Sequence, residues 1–147
     1  MRIKTKYFGE VEITEETIVN FPNGLLGFAE SKRFAVLEIP QSPGFKFLQD
    51  IENTYVSFMI VSPWGFFPDY EAVIDDSELV SIRTENTSES DLDVYLVVTI
   101  GNSFNESTAN LIAPIVINTS DRLGKQFVLH DSKYTTKHKL ISEEAGE

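Results

Sequence analysis

The chain predicts an all-β fold: a compact, antiparallel, β-barrel-like single domain with one or two short helical turns. Three observations carry that prediction. Most of the chain alternates apolar and polar residues with a period of two, the periodicity of a strand with one packed face. The alternating runs are separated by short clusters of Gly, Pro, Asn and Asp, which join antiparallel neighbours through tight turns. One run, residues 108–118 (TANLIAPIVIN), is apolar on both faces, with Leu111, Ala113, Ile115 and Ile117 on one and Ile112, Pro114 and Val116 on the other. A strand written that way is covered on both sides. Pro114 has no N–H for a ladder, so the strand must meet an edge, bulge or change sheets there. We read it as the strand that bends from one side of a small barrel or sandwich to the other.

In chain order, Arg2, Lys4 and Lys6 alternate with Ile3, Thr5 and Tyr7, giving a solvated and a packed face. Gly9 turns the chain, Val11 and Ile13 continue the alternation, and residues 17–21 resume it after Glu15 and Glu16. In residues 21–28 (FPNGLLGF), Pro22, Gly24 and Gly27 are interleaved with Phe21, Leu25, Leu26 and Phe28. Such a loop folds back tightly while burying its side chains, so it plugs a barrel end or offers an apolar patch. The two glycines are read as structural, permitting a positive φ. Residues 29–33 allow one helical turn with Ser31 as a local cap. Strands follow at 34–39, 45–51 and 55–62, separated by a proline-rich turn at 40–44 and a polar turn at 52–54.

Residues 63–71 (PWGFFPDYE) are the most aromatic stretch, and their two prolines bar a central strand. Several rings therefore hang on a loop beside acidic groups, either closing the barrel or meeting a partner. Residues 72–74 finish a strand, and Asp76 and Ser77 start a short helix through Ile82. Residues 83–93 are polar and acidic, the composition of a mobile surface connection. A buried strand at 94–100 and a polar turn at 101–107 feed the run first described. Asn110 and Asn118 bracket that run, residues 121–124 turn back into a strand at 126–129, and residues 134–141 close the domain. The acidic tail, 142–147, has no means of burying itself and is expected to fray.

With 147 residues and 41% hydrophobic content, the chain is long enough to bury a substantial core. Its 23 acidic side chains outnumber 12 basic ones, for a formal charge of -11. That field repels phosphate backbones and anionic headgroups, which disfavours direct nucleic-acid or membrane-surface binding and favours a basic protein partner. The plainer reading is that the charge only maintains solubility. No cysteine occurs, so there is neither a disulfide framework nor a thiolate site. The chain opens directly into a strand pattern, and no apolar run approaches membrane-spanning length. The expected location is cytoplasmic.

Reactive constellations are mostly missing from the sequence. His130 and His138 show no metal-ligand spacing, so no metal or cofactor is expected. No serine sits in a nucleophile-elbow pattern, and neither a dinucleotide-binding glycine motif nor a P-loop is present. Asp69 and Glu71 could share a face as a carboxylate pair, as in glycoside hydrolysis, but a solvated acidic rim is the simpler account. Two rivals to a partner-binding protein follow: a hydrolase using Asp69 or Glu71, and a small hydrophobic-ligand-binding β-barrel with a dry interior pocket.

The combination FPNGLLGF at 21–28, PWGFFPDYE at 63–71, NLIAPIVIN at 110–118 and DRLGKQ at 121–126 resembles the flagellar assembly factor FliW family. The resemblance runs from Met1 to about Ile141 in the same order; residues 84–91 and the tail depart from it. It implies a barrel-like domain without enzymatic activity. It also implies two partners: flagellin, and the small basic RNA-binding translational regulator CsrA. In such a switch the factor pairs with flagellin in the cytoplasm; once flagellin is exported, the freed factor, expected to be a monomer, binds CsrA and relieves repression of flagellin translation. The pairing of rings and charge then marks Phe66, Phe67, Asp69, Tyr70 and Glu71 as partner contacts, the rings as anchors and the carboxylates for steering. Asn118 either joins them or satisfies backbone groups at the strand end.

Overall fold

The computed structural model describes residues 1–42, 44–86, 88, 91–130 and 132–141. The expected frayed tail at 142–147 lies outside them, as do Pro43 of the predicted turn and Thr87, Glu89 and Ser90 of the predicted surface connection. The strands are β1 (Arg2–Thr5), β2 (Gly9–Glu12), β3 (Ile18–Asn20), β4 (Arg33–Glu38), β5 (Phe45–Asp50), β6 (Ser57–Val61), β7 (Leu92–Thr99), β8 (Thr108–Ala109), β9 (Ile115–Asn118), β10 (Leu123–Gln126) and β11 (His138–Lys139). One short helix, α1 (Asp76–Leu79), runs into a 3-10 turn, Val80–Ile82.

The strands pair in the order β7, β6, β5, β4, β3, β10, β9, and β9 pairs back onto β7. This closes a seven-stranded barrel, which leaves the circuit itself without an edge. Antiparallel pairing was expected throughout, but β3 and β10 run parallel through the single pair Leu123 and Asn20. That seam is reinforced by the Asn20 N–H donating to the Arg122 carbonyl at 2.9 Å.

Period-two alternation sorts the side chains between the barrel interior and an outer belt. Val19, Phe34, Leu48, Ile60, Tyr95, Ile115 and Ile117 fill the interior, joined by Phe21 and Leu25 from the glycine loop. The neighbouring positions point outward and are covered in three places. The β1–β2 hairpin covers Ile18 and Ala35 with Ile3 and Ile13. The helix and its 3-10 turn bring Ile82 onto Val116 and Phe127. The aromatic loop and the C-terminal segment bring Tyr70 and Leu140 onto Val61, Leu96, Val98 and Ala109. Strand β9 is therefore buried on both faces, as its sequence predicts, and each Ile or Leu so buried contributes roughly 1.5–3 kcal/mol.

The bulge allowed for at Pro114 is present, and it divides the run 108–118 into two strands. Both β8 and β9 lie along one edge of β7, Ala109 opposite Val98 and Ile115 opposite Tyr95, so residues 110–114 face only Leu96 and Val97. Pro114 cannot donate into the ladder, and the surplus residues loop out as a wide bulge. Four of the carbonyls there find donors. Leu111 accepts from the Tyr70 hydroxyl at 2.7 Å and Ala113 from the Gln126 side-chain amide at 3.0 Å. Ile112 and Pro114 accept from the N–H groups of Leu129 and Phe127 at 2.7 and 2.9 Å.

Other expectations shift at their edges. The last reversal falls on residues 119–122, with Arg122 at φ 53°, so β10 begins at Leu123 and not at residue 126. Residues 29–30 form a turn instead of a helical one, and Phe21 N–H takes the Lys32 carbonyl at 2.7 Å as the chain enters β4. Residues 72–74 are not in a strand, and within residues 134–141 His138–Lys139 pairs with β8. The predicted helix at Asp76 forms where expected.

Candidate partner-binding surface

The aromatic loop is pinned by its own polar groups. Pro63–Gly65 forms a 3-10 turn whose Pro63 carbonyl accepts from the N–H groups of Phe66 and Phe67 at 3.1 and 2.8 Å. The Trp64 indole donates to the Tyr70 carbonyl at 3.1 Å, leaving the rest of that ring half in solvent. Phe66 packs edge-on against Phe45 at 5.5 Å, and Phe67 edge-on against His138 at 6.3 Å, both half-buried. Asp69 and Glu71 are exposed.

Two of the residues expected to touch a partner do not present a side chain to one. Tyr70 is only 4% exposed, and its hydroxyl is committed to the Leu111 carbonyl in the bulge. Burial pushes its phenol well above the ordinary value of 10, so it stays a neutral donor. Asn118 is 0% exposed, because its amide is spent on backbone groups. Its Nδ2 donates to the Ile82 carbonyl at 2.8 Å, and its Oδ1 accepts from the N–H groups of Ser120 and Asp121 at 3.1 and 3.3 Å. The second of the two readings offered for Asn118, satisfaction of strand-end backbone, is the one its contacts support.

Asp69 and Glu71 stand instead on the rim of a cleft of about 740 Å³. Asp75 and Glu78 add two more carboxylates, while His130, Lys133 and Tyr134 line it from the C-terminal side. The Glu71 N–H donates to the Tyr134 hydroxyl at 3.0 Å, and the Tyr134 ring leans on Tyr70 at 4.8 Å, which ties one wall to the other. His130 Nε2 lies 3.6 Å from a Glu78 carboxylate oxygen. Sequence reasoning missed Asp75, Glu78 and Lys133, which come together only through tertiary folding across more than fifty positions of chain. Among the described residues, no three His, Asp or Glu side chains are grouped to hold a metal ion.

The glycine loop is buried on one side and exposed on the other. Phe21 and Leu25 plug one end of the barrel, while Leu26 and Phe28 remain in solvent. Gly24, at φ +67°, has no room for a Cβ, which would meet the Phe28 carbonyl oxygen and lie 2.7 Å from the Ala29 backbone. Pro22 is exposed, and its carbonyl accepts from the Lys32 ammonium at 3.0 Å; Pro114 is buried in the bulge. At the other end Lys46 donates to the Tyr95 hydroxyl at 3.2 Å on the edge of a hollow of about 220 Å³ that Val19, Val36, Ile117, Asp93 and Arg122 also line. The interior behind it is filled by Phe34, Leu48, Ile60 and Ile115, all 0% exposed, in place of the dry cavity a hydrophobic-ligand barrel needs.

A barrel with a packed interior, whose exposed apolar and acidic groups lie on its loops and outer belt, has the build of a protein that presents surface to other molecules. The chain belongs to the FliW family of flagellar assembly factors: the FliW protein family model matches residues 2–140. It is 41% identical to the flagellar assembly factor FliW of Geobacillus kaustophilus over 146 residues, 99% of each chain. It is likewise 41% identical to the flagellar assembly factor FliW of Bacillus subtilis over 143 residues, 97% of this chain and 99% of that one. A crystal structure of the flagellar assembly factor FliW matches the fold with a TM-score of 0.90 at 40% identity, over 98% of this chain and 99% of the other. No helix among the described residues is long and apolar enough to cross a membrane.

Proposed function

We propose that this chain acts in the cytoplasm as a monomeric, non-enzymatic partner of two proteins, flagellin and the RNA-binding regulator CsrA. While flagellin is abundant the two are paired; when flagellin is exported, the freed chain binds CsrA and relieves its repression of flagellin translation. The observation that carries this reading is the acidic cleft on a chain of net charge -11. A basic RNA-binding surface is the complement of such a field, and the same field opposes phosphate approaching from the other side. The half-buried Phe66 and Phe67 and the exposed Asp69 and Glu71 are the proposed contacts: rings as anchors, carboxylates for steering. Exchange between two partners requires their binding free energies to be coupled, through overlap or through the barrel.

The test is calorimetric titration of purified flagellin and of purified CsrA into the chain over a range of salt. Both proteins are expected to bind, with CsrA affinity falling steeply as salt rises because the steering charges are exposed. Failure of either protein to bind at low salt would refute the assignment.

A further inference from the structure

One wall of the acidic cleft has the outline of a strand that lacks a partner. Glu71, Val73 and Asp75 are exposed, while Ala72 and Ile74 between them pack onto the barrel, which is strand alternation. Asp75 has extended backbone, φ -63° and ψ 142°. Among the described residues, the N–H groups of Ala72, Val73 and Ile74 have no hydrogen-bond partner. In the segment across the cleft the unpaired N–H groups fall on alternate residues. The N–H groups of Phe127 and Leu129 go to the bulge, whereas those of the exposed Val128 and His130 have no partner among the described residues. Alternate residues of an extended segment direct their backbone groups to opposite edges, so an edge is left open there.

An open edge is a template for strand addition, and the charges beside it select what can be added. Asp69, Glu71, Asp75 and Glu78 outweigh Lys133, and the one imidazole lies against Glu78. A second copy of this chain would bring the same carboxylates to the same edge, and nucleic acid would bring phosphates; both are repelled. Val73, 74% exposed, gives the cleft apolar ground between the charges. We propose that the cleft receives an extended segment of a protein partner carrying Lys or Arg at alternate positions. It is added along the open backbone edge, with its cations toward the four carboxylates. This rests on the reading that the chain works by holding protein partners, and narrows it to one segment chemistry at one place.

The probe is a short fluorescein-labelled peptide alternating Lys and Val, followed by fluorescence anisotropy at low ionic strength. The wild-type chain is expected to bind it, and E71K/D75K to weaken binding by about tenfold or more. The control E30K/E52K changes net charge equally at exposed positions elsewhere and should weaken binding by less than about twofold. The same peptide N-methylated at alternate residues, offered to the wild-type chain, should bind at least about tenfold more weakly, because strand addition needs its N–H groups. Equal losses from the two charge variants, or undiminished binding of the N-methylated peptide, would overturn the proposal. So would equal binding of a Glu-Val peptide or a single-stranded RNA, or self-association of the chain abolished by E71K/D75K. A wild-type chain that holds flagellin and CsrA but ignores the peptide refutes the cleft assignment alone, whereas one that holds the peptide and neither protein refutes the proposed function alone.

Discussion

Residues 21–28 drive Phe21 and Leu25 into one end of the barrel, whereas residues 63–71 lie along its outer belt, where Tyr70 is buried and Asp69 and Glu71 stay in solvent. Both loops are rich in aromatics and interrupted by proline and glycine, yet they are held by different means. The first is held by shape at Gly24, which leaves no space for a single added carbon, and by hydrogen bonds that run mostly between backbone groups. The second is held by two polar pins, the Trp64 indole on the Tyr70 carbonyl and the Tyr70 hydroxyl on Leu111. A loop fixed by close packing tolerates little change where its backbone is crowded and can offer little to a partner beyond its exposed rim. A loop fixed by a few directional bonds leaves its other side chains free for recognition.

That contrast can be broken most forcefully at Gly24. Gly24→Ala combines a left-handed backbone with a collision against Ala29 and should cost about 3 kcal/mol or more, read as a fall in melting temperature. Gly27→Ala has φ +81° but open space around it and should cost only about 1 kcal/mol. Equal losses at the two positions would show that strain alone, and not packing, holds the plug. Asn118→Ala should cost about 2–3 kcal/mol in denaturant unfolding, because it leaves the Ile82 carbonyl and two turn N–H groups unsatisfied.

In the aromatic loop, Tyr70→Phe removes one pin and should cost about 1–2 kcal/mol. It should also change the alkaline limb of stability. The folded phenol is pushed above its ordinary value of 10, so its contribution is intact below pH 10 and is lost as pH rises further, when the unfolded chain ionises first. Tyr95, raised chiefly by burial, acts in the same direction. The Tyr70→Phe variant should therefore lose stability less steeply than wild type above pH 10, and an unchanged slope would show that the phenol is not desolvated. The smallest stability effect is expected from Asp69→Ala with Glu71→Ala, within about 0.5 kcal/mol, since both side chains are exposed. The same pair should weaken partner capture in a pull-down. Lost stability with unchanged capture would reverse the roles given to the two loops.

The barrel's inward and outward faces were legible in sequence because burial on a strand follows a period of two, and the doubly covered run at 115–117 could be read directly. The short helix at Asp76 was legible too, since an acidic start leads into Leu79, Val80 and Ile82. The closure of β9 onto β7, the parallel contact of β3 with β10 and the length of the bulge were not legible, because period-two patterning says which face is buried and not which strand lies alongside. Polar residues misled most where they serve backbone groups. Tyr70 looks like a surface residue in sequence and is buried because a bulge carbonyl needs its hydrogen bond, whereas the strand-end role of Asn118 was one of the two readings its position allowed. The cleft was half legible: Asp69 and Glu71 announced an acidic rim, but His130, Lys133 and Tyr134 reach it only through the fold.

The most direct test is a three-component titration in which fluorescent flagellin messenger RNA is bound to CsrA, this chain is added, and flagellin follows. The account predicts that the RNA is released when the chain is added and rebound when flagellin draws the chain away. RNA that stays on CsrA at saturating chain, or release that flagellin cannot reverse, would contradict it.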